Sequence, residues 1–197
     1  YLYLKITYIQ NYSLLGIKFE NSINDKLLRY TLNFVSKNEV NYIDLKPLNV
    51  PVYSETLENS DGIPEDIKNL KSKIKEADAL IVAVNEHNGT MSAFFKNITD
   101  WLSRSDGKYL KGKPIFLMST SPGEGGAKSS LEYTTNNFHK FGGEVIHQYS
   151  LPSFGDNFSN ENLTETYKQH LYPYWIILKK IFKAIENCKN ISDTTSK

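Results

Sequence analysis

The sequence lacks the features that define several large protein classes. It has one cysteine, Cys188, so no disulfide can form within the chain. No run approaches the roughly 18 consecutive apolar residues of a transmembrane helix. Its 23 basic side chains are matched by 22 acidic ones, which leaves no basic surplus for binding nucleic acid. A P-loop motif and a complete G-x-G-x-x-G dinucleotide fingerprint are both missing. We therefore expect a cytoplasmic protein that spans no membrane and binds no nucleic acid.

What remains is typical of a compact globular protein. The chain has 197 residues, of which 40% are hydrophobic and 23% are charged. This length suits one domain with a sizeable core, so we predict a single domain over residues 1–197. The histidines have no metal-ligand spacing, and the sequence predicts no metal site.

One stretch near the middle of the chain has the clearest pattern. Ala79 to Val84 is an unbroken apolar run, typical of a strand that is covered on both faces. Asn85 to Gly89 is polar and predicts a loop. A helix should follow, with a buried face formed by Phe94, Phe95, Ile98, Trp101 and Leu102. In open α/β sheets ligands bind beyond the carboxyl ends of strands, so the polar loop lies where a site is expected.

The rest of the chain alternates between predicted strands and helices. Further strands are predicted at Leu2–Ile9, Val40–Leu45, Pro114–Thr120 and Glu144–Tyr149. Helices should begin near Ser22 or Asn24, at Pro64 and at Ala127, and a C-terminal helix should run from about 163 to 188 with a kink at Pro173. We expect loops at Gln10–Asn24, Pro47–Ile63 and Leu151–Asn162. This alternation predicts an α/β fold, a flavodoxin-like three-layer sandwich with a five-stranded parallel sheet of order 2-1-3-4-5.

The central stretch also carries a family resemblance. Ala77 to Arg104 resembles a flavin-contacting segment of the NAD(P)H-dependent FMN reductases, a flavodoxin-like family of quinone, azo-dye and chromate reductases. Members of that family have a strand, then Pro-Glu-Tyr-Asn-Gly, then a helix reading Leu-Lys-Asn-Ala-x-Asp-Trp-Leu-Ser. This sequence departs from the pattern at two positions: Asn85 replaces the proline and His87 replaces the tyrosine.

Two other loops resemble that family. Its first motif, Gly-Ser-x-Arg-x-x-Ser-x-Asn, ends as Ser22-Ile23-Asn24 does here, with Lys18 in the role of the arginine in an apparently longer loop. The alternative is that Ser22 and Asn24 only cap a helix. Thr120 to Gly126 resembles the segment beside the flavin ring, since glycines let the backbone approach a flat ring closely. The alternative there is an ordinary strand-to-helix turn.

The resemblance implies an NAD(P)H-dependent oxidoreductase that passes hydride through FMN to a quinone, azo compound or other small acceptor. It implies no obligate catalytic side chain, because the flavin performs the chemistry. It also implies a homodimer or tetramer, in agreement with the surplus of aromatic residues on the central helix. The FMN-binding residues that it implies are Ser13, Lys18, Ser22, Asn24, Asn85, Glu86, His87, Asn88, Gly89, Thr120, Ser121, Gly123, Gly125 and Gly126.

Two other functions remain open from the sequence. A flavodoxin-like electron carrier would need no nicotinamide, but carriers of that kind are usually strongly acidic, whereas this chain has a net charge of +1. A flavin-free relative would use the same crevice for binding only, and the divergent first loop is compatible with it.

Overall fold

The computed structural model of the chain describes residues 11–15, 21–32, 40–177 and 180. Five parallel strands form the main sheet, in the order β2-β1-β3-β6-β7. These strands are β1 (Asn11–Leu15), β2 (Val40–Ile43), β3 (Leu80–Ala83), β6 (Pro114–Thr120) and β7 (Glu144–Leu151). Two small antiparallel hairpins pair β4 (Glu86–His87) with β5 (Thr90–Met91) and β8 (Phe158–Ser159) with β9 (Asn162–Leu163).

Helices lie between the strands in sequence. They are α1 (Ile23–Leu32), α2 (Glu55–Asp61), α3 (Glu65–Glu76), α4 (Ala93–Ser105), α5 (Lys128–Lys140) and α6 (Phe154–Asn157), followed by a helix at residues 165–177, here α7. α7 is helical on both sides of Pro173, and its predicted continuation to 188 lies outside the described residues. Within the described segments, no helix combines the length and apolar character needed to cross a membrane.

The first strand differs from the prediction. The segment predicted to form it, Leu2–Ile9, lies outside the described residues. The structure instead has a strand at Asn11–Leu15, within a stretch that the sequence analysis assigned to a loop, and this strand pairs with β2 on one side and β3 on the other. Its first three residues are polar or aromatic and give no apolar pattern, so pairing with both neighbours decides its structure.

The sheet separates two hydrophobic cores. Residues of β3 alternate between them, with Leu80 and Val82 in one core and Ile81 and Ala83 in the other. All four are buried, as predicted for a central strand. The first core packs the sheet against α3, α4 and α5, and the second packs it against α1 and α7. The predicted α/β class with a parallel sheet is therefore confirmed.

The aromatic residues of α4 belong to the first core. Phe95 and Trp101 are 3% and 0% exposed, and Phe94 is half-buried against the same core. The Trp101 indole Nε1 donates a hydrogen bond to the carbonyl of Pro51 at 2.8 Å, and its ring meets Tyr53 edge to face. The interpretation of these aromatics as a surplus for a dimer surface is therefore wrong, because the monomer accommodates them. The dimer itself stays a prediction.

Two predicted loops contain short regular elements. α2 lies within Pro47–Ile63, where the Ser54 side chain accepts a hydrogen bond from the Leu57 amide at 3.2 Å. α6 and the β8–β9 hairpin lie within Leu151–Asn162. The α2 sequence, ETLENSD, has one apolar residue and so no apolar periodicity that would predict a helix, and none of its residues is fully buried.

Candidate functional site at the carboxyl edge of the sheet

The strands of a parallel sheet end at the same edge, and the loops after β3 and β6 meet the start of α1 there. Asn24, at the beginning of α1, connects α1 to the end of β6. Its side-chain Nδ2 donates to the carbonyl of Thr120 at 3.1 Å, and its Oδ1 accepts from the Thr120 amide at 2.9 Å. Asn24 is only 3% exposed, so both bonds are buried. Asn24 therefore fixes the start of the Thr120–Gly126 loop relative to α1.

Ser22 caps α1. Its side-chain Oγ accepts a hydrogen bond from the Asp25 amide at 3.1 Å, and its carbonyl accepts from the Lys26 amide. This is the capping geometry that the sequence analysis weighed as the alternative. The first turn of α1 still leaves backbone N–H groups without intrahelical partners, and such a helix N-terminus is suited to an anion.

The position of β1 changes the alignment of the first motif. Ser13, predicted in the loop after the strand, instead lies inside β1, opposite Tyr42 and Ile81, so the loop assignment was wrong. β1 is described to Leu15, and the sequence from Gly16 to Asn24 has nine residues, as many as the family motif. Lys18 lies outside the described residues and stays a prediction. In this alignment Phe19 occupies the arginine position and Lys18 the position before it.

The loop after β3 is a β-hairpin. Glu86 pairs with Met91 and His87 with Thr90, so Asn88 and Gly89 form a two-residue turn. Both have positive φ, +52° and +79°, as a type I′ turn requires. Asn85 to Gly89 was predicted only as a polar loop, although Asn-Gly is a strong hairpin signal. Asn88 and Gly89 therefore fix the reversal of the chain at the tip of the hairpin.

Two hydrogen bonds attach the hairpin to α5. A carboxylate oxygen of Glu86 accepts from the Ser130 amide at 2.9 Å, and the Ser130 hydroxyl donates to the carbonyl of Asn85 at 2.9 Å. The negative charge of Glu86 lies at the N-terminal turn of α5, where the helix dipole favours it. Ser130 was missed by the sequence analysis, since no local pattern links it to residues more than 40 positions earlier.

The Asn85 side chain is buried at the base of the hairpin, only 6% exposed. Its Nδ2 lies 3.1 Å from Nε2 of the exposed His87. Its Oδ1 is buried and has no hydrogen-bond partner in the described part of the chain. A buried amide oxygen without a donor is destabilising by about 1–3 kcal/mol, so this atom is a candidate acceptor for a ligand.

The loop after β6 has a fixed base and an open tip. The Thr120 hydroxyl donates to the Leu151 carbonyl at 2.6 Å, and the Ser119 and Ser150 hydroxyls both donate to the Gly126 carbonyl. Ser119 and Ser150 were not among the predicted site residues. At the tip, Ser121 donates its hydroxyl to the carbonyl of Gly123 at 3.1 Å.

The three glycines of this loop are in different surroundings. Gly126 has a φ of +59°, and a Cβ there would lie 2.3 Å from the Ser150 Oγ. At Gly123 and Gly125 a Cβ would meet no atom within 4 Å. Gly126 is thus required by local packing, whereas Gly123 and Gly125 leave an open approach to their backbone. Across the described segments, no three His, Cys, Asp or Glu side chains are grouped so as to hold a metal ion.

Comparisons with known proteins identify the family of this chain. The family model for NADPH-dependent FMN reductase matches residues 13–155. The quinone reductase of Escherichia coli is 28% identical over 159 residues, which cover 75% of this chain and 84% of that protein. The FMN-dependent NADPH-azoreductase of Staphylococcus aureus is 35% identical over 114 residues, which cover 56% and 59%.

Solved structures agree on the fold. The NAD(P)H:(acceptor) oxidoreductase FerB from Paracoccus denitrificans superposes with a TM-score of 0.68 at 21% identity, covering 91% of this chain and 98% of that one. The fold is thus flavodoxin-like α/β. Since the family model matches most of the chain, this protein belongs to the NADPH-dependent FMN reductase family of NAD(P)H-dependent, FMN-using oxidoreductases, as the resemblance in its sequence predicted.

Proposed function

We propose that this protein binds FMN at the carboxyl edge of the sheet and passes hydride from NADPH or NADH to a quinone, an azo compound or another small acceptor. The observation that carries the proposal is the pair of buried hydrogen bonds from Asn24 to Thr120, which joins α1 to the Thr120–Gly126 loop in a chain of this family. The flavin supplies the hydride chemistry when it is bound, and the protein supplies position and electrostatics.

The residues at this edge fit FMN. The Asn85 Oδ1 is a buried acceptor without a donor, and a flavin ring carries an N–H that such an acceptor can bind. The open space above Gly123 and Gly125 allows a flat ring to lie against their backbone. The N-terminus of α1 beyond Ser22 provides backbone N–H groups for one phosphate.

The proposed roles divide the predicted residues into two groups. The residues that contact FMN are Ser22, Asn85, His87, Ser121, Gly123 and Gly125. The residues that hold the contacting groups in place are Asn24, Glu86, Asn88, Gly89, Thr120 and Gly126. The side chains of Asn24, Glu86 and Thr120 bond to other parts of the protein, and Asn88, Gly89 and Gly126 supply the positive φ of the turns. Lys18 is proposed as a charge near the phosphate from the sequence alone.

FMN should bind much more tightly than FAD. A single helix N-terminus is suited to one phosphate, and the chain has no dinucleotide fingerprint for a second. Titrating the apoprotein with each flavin and following the quenching of flavin fluorescence measures both dissociation constants. We expect a preference for FMN of about tenfold or more, equivalent to about 1.4 kcal/mol. Equal affinities would contradict the single-phosphate site, and the absence of binding to either flavin would favour the flavin-free alternative.

His87→Tyr should tighten FMN binding by about two- to tenfold. The phenol ring buries more apolar area than imidazole when stacked against a flavin, and such stacking is worth about 0.5–1.5 kcal/mol. His170→Tyr is the matched control, because His170 is also exposed but lies on α7, outside the loops of the site. Fluorescence titration of both variants and wild type tests the placement. Identical affinities in all three proteins would show that His87 does not contact the ring.

The acceptor, assembly and location complete the proposal. Relatives named as a quinone reductase and an azoreductase support a quinone or azo compound as the acceptor. The homodimer or tetramer rests on the family resemblance, and the cytoplasmic location rests on the single cysteine.

A further inference from the structure

A basic groove lies at the opposite, amino edge of the sheet. Its volume is about 1060 Å³. One wall is α3, and the other is the segment that joins α4 to β6. We call it the lysine groove, and its lining residues are Lys68, Lys71, Ser72, Lys75, Asp106, Lys108, Tyr109, Lys111, Lys113 and Gly142.

The lysine groove carries an excess of positive charge. Its lining contains six lysines and one aspartate, so six positive charges less one negative charge give +5. The whole chain has a formal net charge of +1, which leaves −4 for all the other residues. A charge of one sign gathered in a concave surface focuses the electrostatic potential and raises the local concentration of oppositely charged ligands.

Three of the lysines bind the ends of helices. The ammonium Nζ of Lys71 donates to the Ser105 carbonyl at 3.2 Å, and that of Lys108 donates to the Lys140 carbonyl at 2.7 Å. Lys113 donates to the carbonyls of Lys75, at 2.8 Å, and Ala77. These carbonyls belong to the C-terminal ends of α4, α5 and α3, and each such end carries about half a negative charge. The three helix ends together offset only about 1.5 of the five positive charges.

Neighbouring carboxylates neutralise part of the remainder. Glu65 forms an ion pair with Lys68 at 3.4 Å, but both side chains are mostly exposed. Asp106 accepts from the Lys108 backbone amide at 2.9 Å. Burial lowers the pKa of the Lys113 ammonium, and the nearby Asp78 opposes that effect. Glu76 is bonded to the Ser72 hydroxyl at 2.9 Å.

Two lysines remain without a protein partner. The ammonium groups of Lys75 and Lys111 make no hydrogen bond or ion pair with the described residues. They lie on opposite walls of the groove, Lys75 on α3 and Lys111 in the segment before β6. Both side chains are exposed, so their ammonium groups are free to contact one anionic ligand from the two walls.

The spacing of the lysines on α3 indicates the shape of that ligand. Lys68, Lys71 and Lys75 are three and four residues apart, so they form one row along the helix. Seven residues of helix span on the order of 10 Å. A row of cations of that length matches consecutive anionic groups better than a single ion.

We propose that the lysine groove binds an oligophosphate, a small soluble ligand with two or more consecutive phosphate groups. The volume lies just above the usual range for small-molecule sites, about 300–1,000 Å³, so the groove has room for a ligand with several phosphate groups. Facing walls also suit a ligand inside a groove, whereas a nucleic acid or a membrane needs an outward-facing basic surface. The proposal concerns the edge of the sheet remote from the FMN site and does not depend on it.

Calorimetric titration with inorganic tripolyphosphate tests the proposal. The full chain is used with FMN present throughout, so that the phosphate site of FMN is not the one measured. We expect one tripolyphosphate per chain, inorganic phosphate binding at least about tenfold more weakly, and at least about tenfold weaker binding when the salt rises from about 0.05 to 0.5 M. Loss of flavin absorbance from the protein during the titration would overturn the proposal, since the ligand would then be competing for the FMN site.

Variants on and off the groove make the test specific. The double variant Lys75→Gln/Lys111→Gln should weaken tripolyphosphate binding by about tenfold or more, because both free ammonium groups are lost. Lys73→Gln is the control: it is exposed on the same helix, two residues and about 200° around the axis from Lys75, and does not line the groove. We expect it to change the affinity less than about twofold.

Three outcomes would overturn the inference. Equal losses in Lys73→Gln and the double variant would mean that diffuse surface charge attracts the anion. Absence of a one-to-one complex at low salt would leave Lys71, Lys108 and Lys113 as contacts to helix ends and the other lysines as solvated surface charges. Saturable binding of a single-stranded oligonucleotide or of anionic lipid vesicles, without binding of tripolyphosphate, would assign the surface to a macromolecular polyanion instead. Circular dichroism of each variant verifies that the fold is unchanged.

Discussion

Replacing Asn24 by alanine is expected to lower the free energy of unfolding by about 2–4 kcal/mol. The substitution leaves the amide and the carbonyl of Thr120 buried without their partners at 2.9 and 3.1 Å, and each unsatisfied group costs about 1–3 kcal/mol. For a chain of this size the melting temperature should fall by about 5–15 °C. Because Thr120 begins the loop proposed to border the flavin, FMN affinity should also fall by about tenfold or more. Thermal unfolding with and without FMN measures both effects.

Two further variants test whether the loss of stability comes from the two hydrogen bonds of Asn24. Asn24→Asp keeps an acceptor for the Thr120 amide but loses the donor to its carbonyl, so it should lie between wild type and Asn24→Ala. Asn136→Ala is the matched control, because Asn136 is exposed on α5 and its side chain makes no hydrogen bond with the residues that the structure describes. We expect it to change stability by less than about 0.5 kcal/mol. If Asn24→Ala were as stable as Asn136→Ala, the hydrogen bonds between Asn24 and Thr120 would not contribute to the stability of the fold.

The parts of the fold with the strongest local patterns were predicted from the sequence. β3 is apolar throughout and β6 is apolar up to Met118, and both are covered on both faces, as their apolar runs indicate. The strand at Asn11–Leu15 was missed because Asn11, Tyr12 and Ser13 have no alternating pattern, and this strand exists through pairing with β2 and β3. α2 was missed because Leu57 is its only apolar residue, so its sequence has no apolar periodicity.

The candidate site was predicted as a set of loops but not as a set of contacts. The sequence placed Asn85, His87 and Gly125 at the carboxyl edge because the loops follow strands. It did not distinguish Glu86, which holds α5, from His87, which is exposed beside it. That distinction depends on the β4–β5 hairpin, in which adjacent residues point to opposite sides. The partners Ser130 and Ser150 are far away in sequence, and only the folded chain brings them to the site.

The lysine groove could not be predicted from the sequence either, because it forms only when the chain folds. The total charge of the chain is near zero, so composition correctly gave no basic surplus. The six lysines form two local clusters, one on α3 and one in the segment before β6 more than 30 residues later, and the sequence does not show that the two clusters face each other. Their concentration on one surface follows from the packing of α3 beside α4, whose chain then leads into that segment.

Gly126 and Gly125 are adjacent, yet alanine at each should have a different effect. At Gly126 the new Cβ would lie 2.3 Å from the Ser150 Oγ and 3.0 Å from the Pro152 nitrogen, at a φ of +59° that alanine tolerates poorly. Overpacking and backbone strain together should lower the free energy of unfolding by about 2–4 kcal/mol. At Gly125 the Cβ meets nothing within 4 Å, and stability should change by less than about 0.5 kcal/mol.

The FMN affinity of Gly125→Ala tests whether the flavin lies against the backbone at this position. If its open backbone faces the flavin, Gly125→Ala should weaken FMN binding by about tenfold or more while the apoprotein keeps its stability, since a methyl group would hold the ring away. In a Ser150→Ala background the cost of Gly126→Ala should shrink by about 1 kcal/mol, because the closest contact has been removed. Chemical unfolding of the four proteins of that cycle, and flavin titration of Gly125→Ala, test both statements. A Gly125→Ala protein with wild-type FMN affinity would show that the ring does not approach this part of the loop, and the flavin would then have to be placed closer to the β4–β5 hairpin.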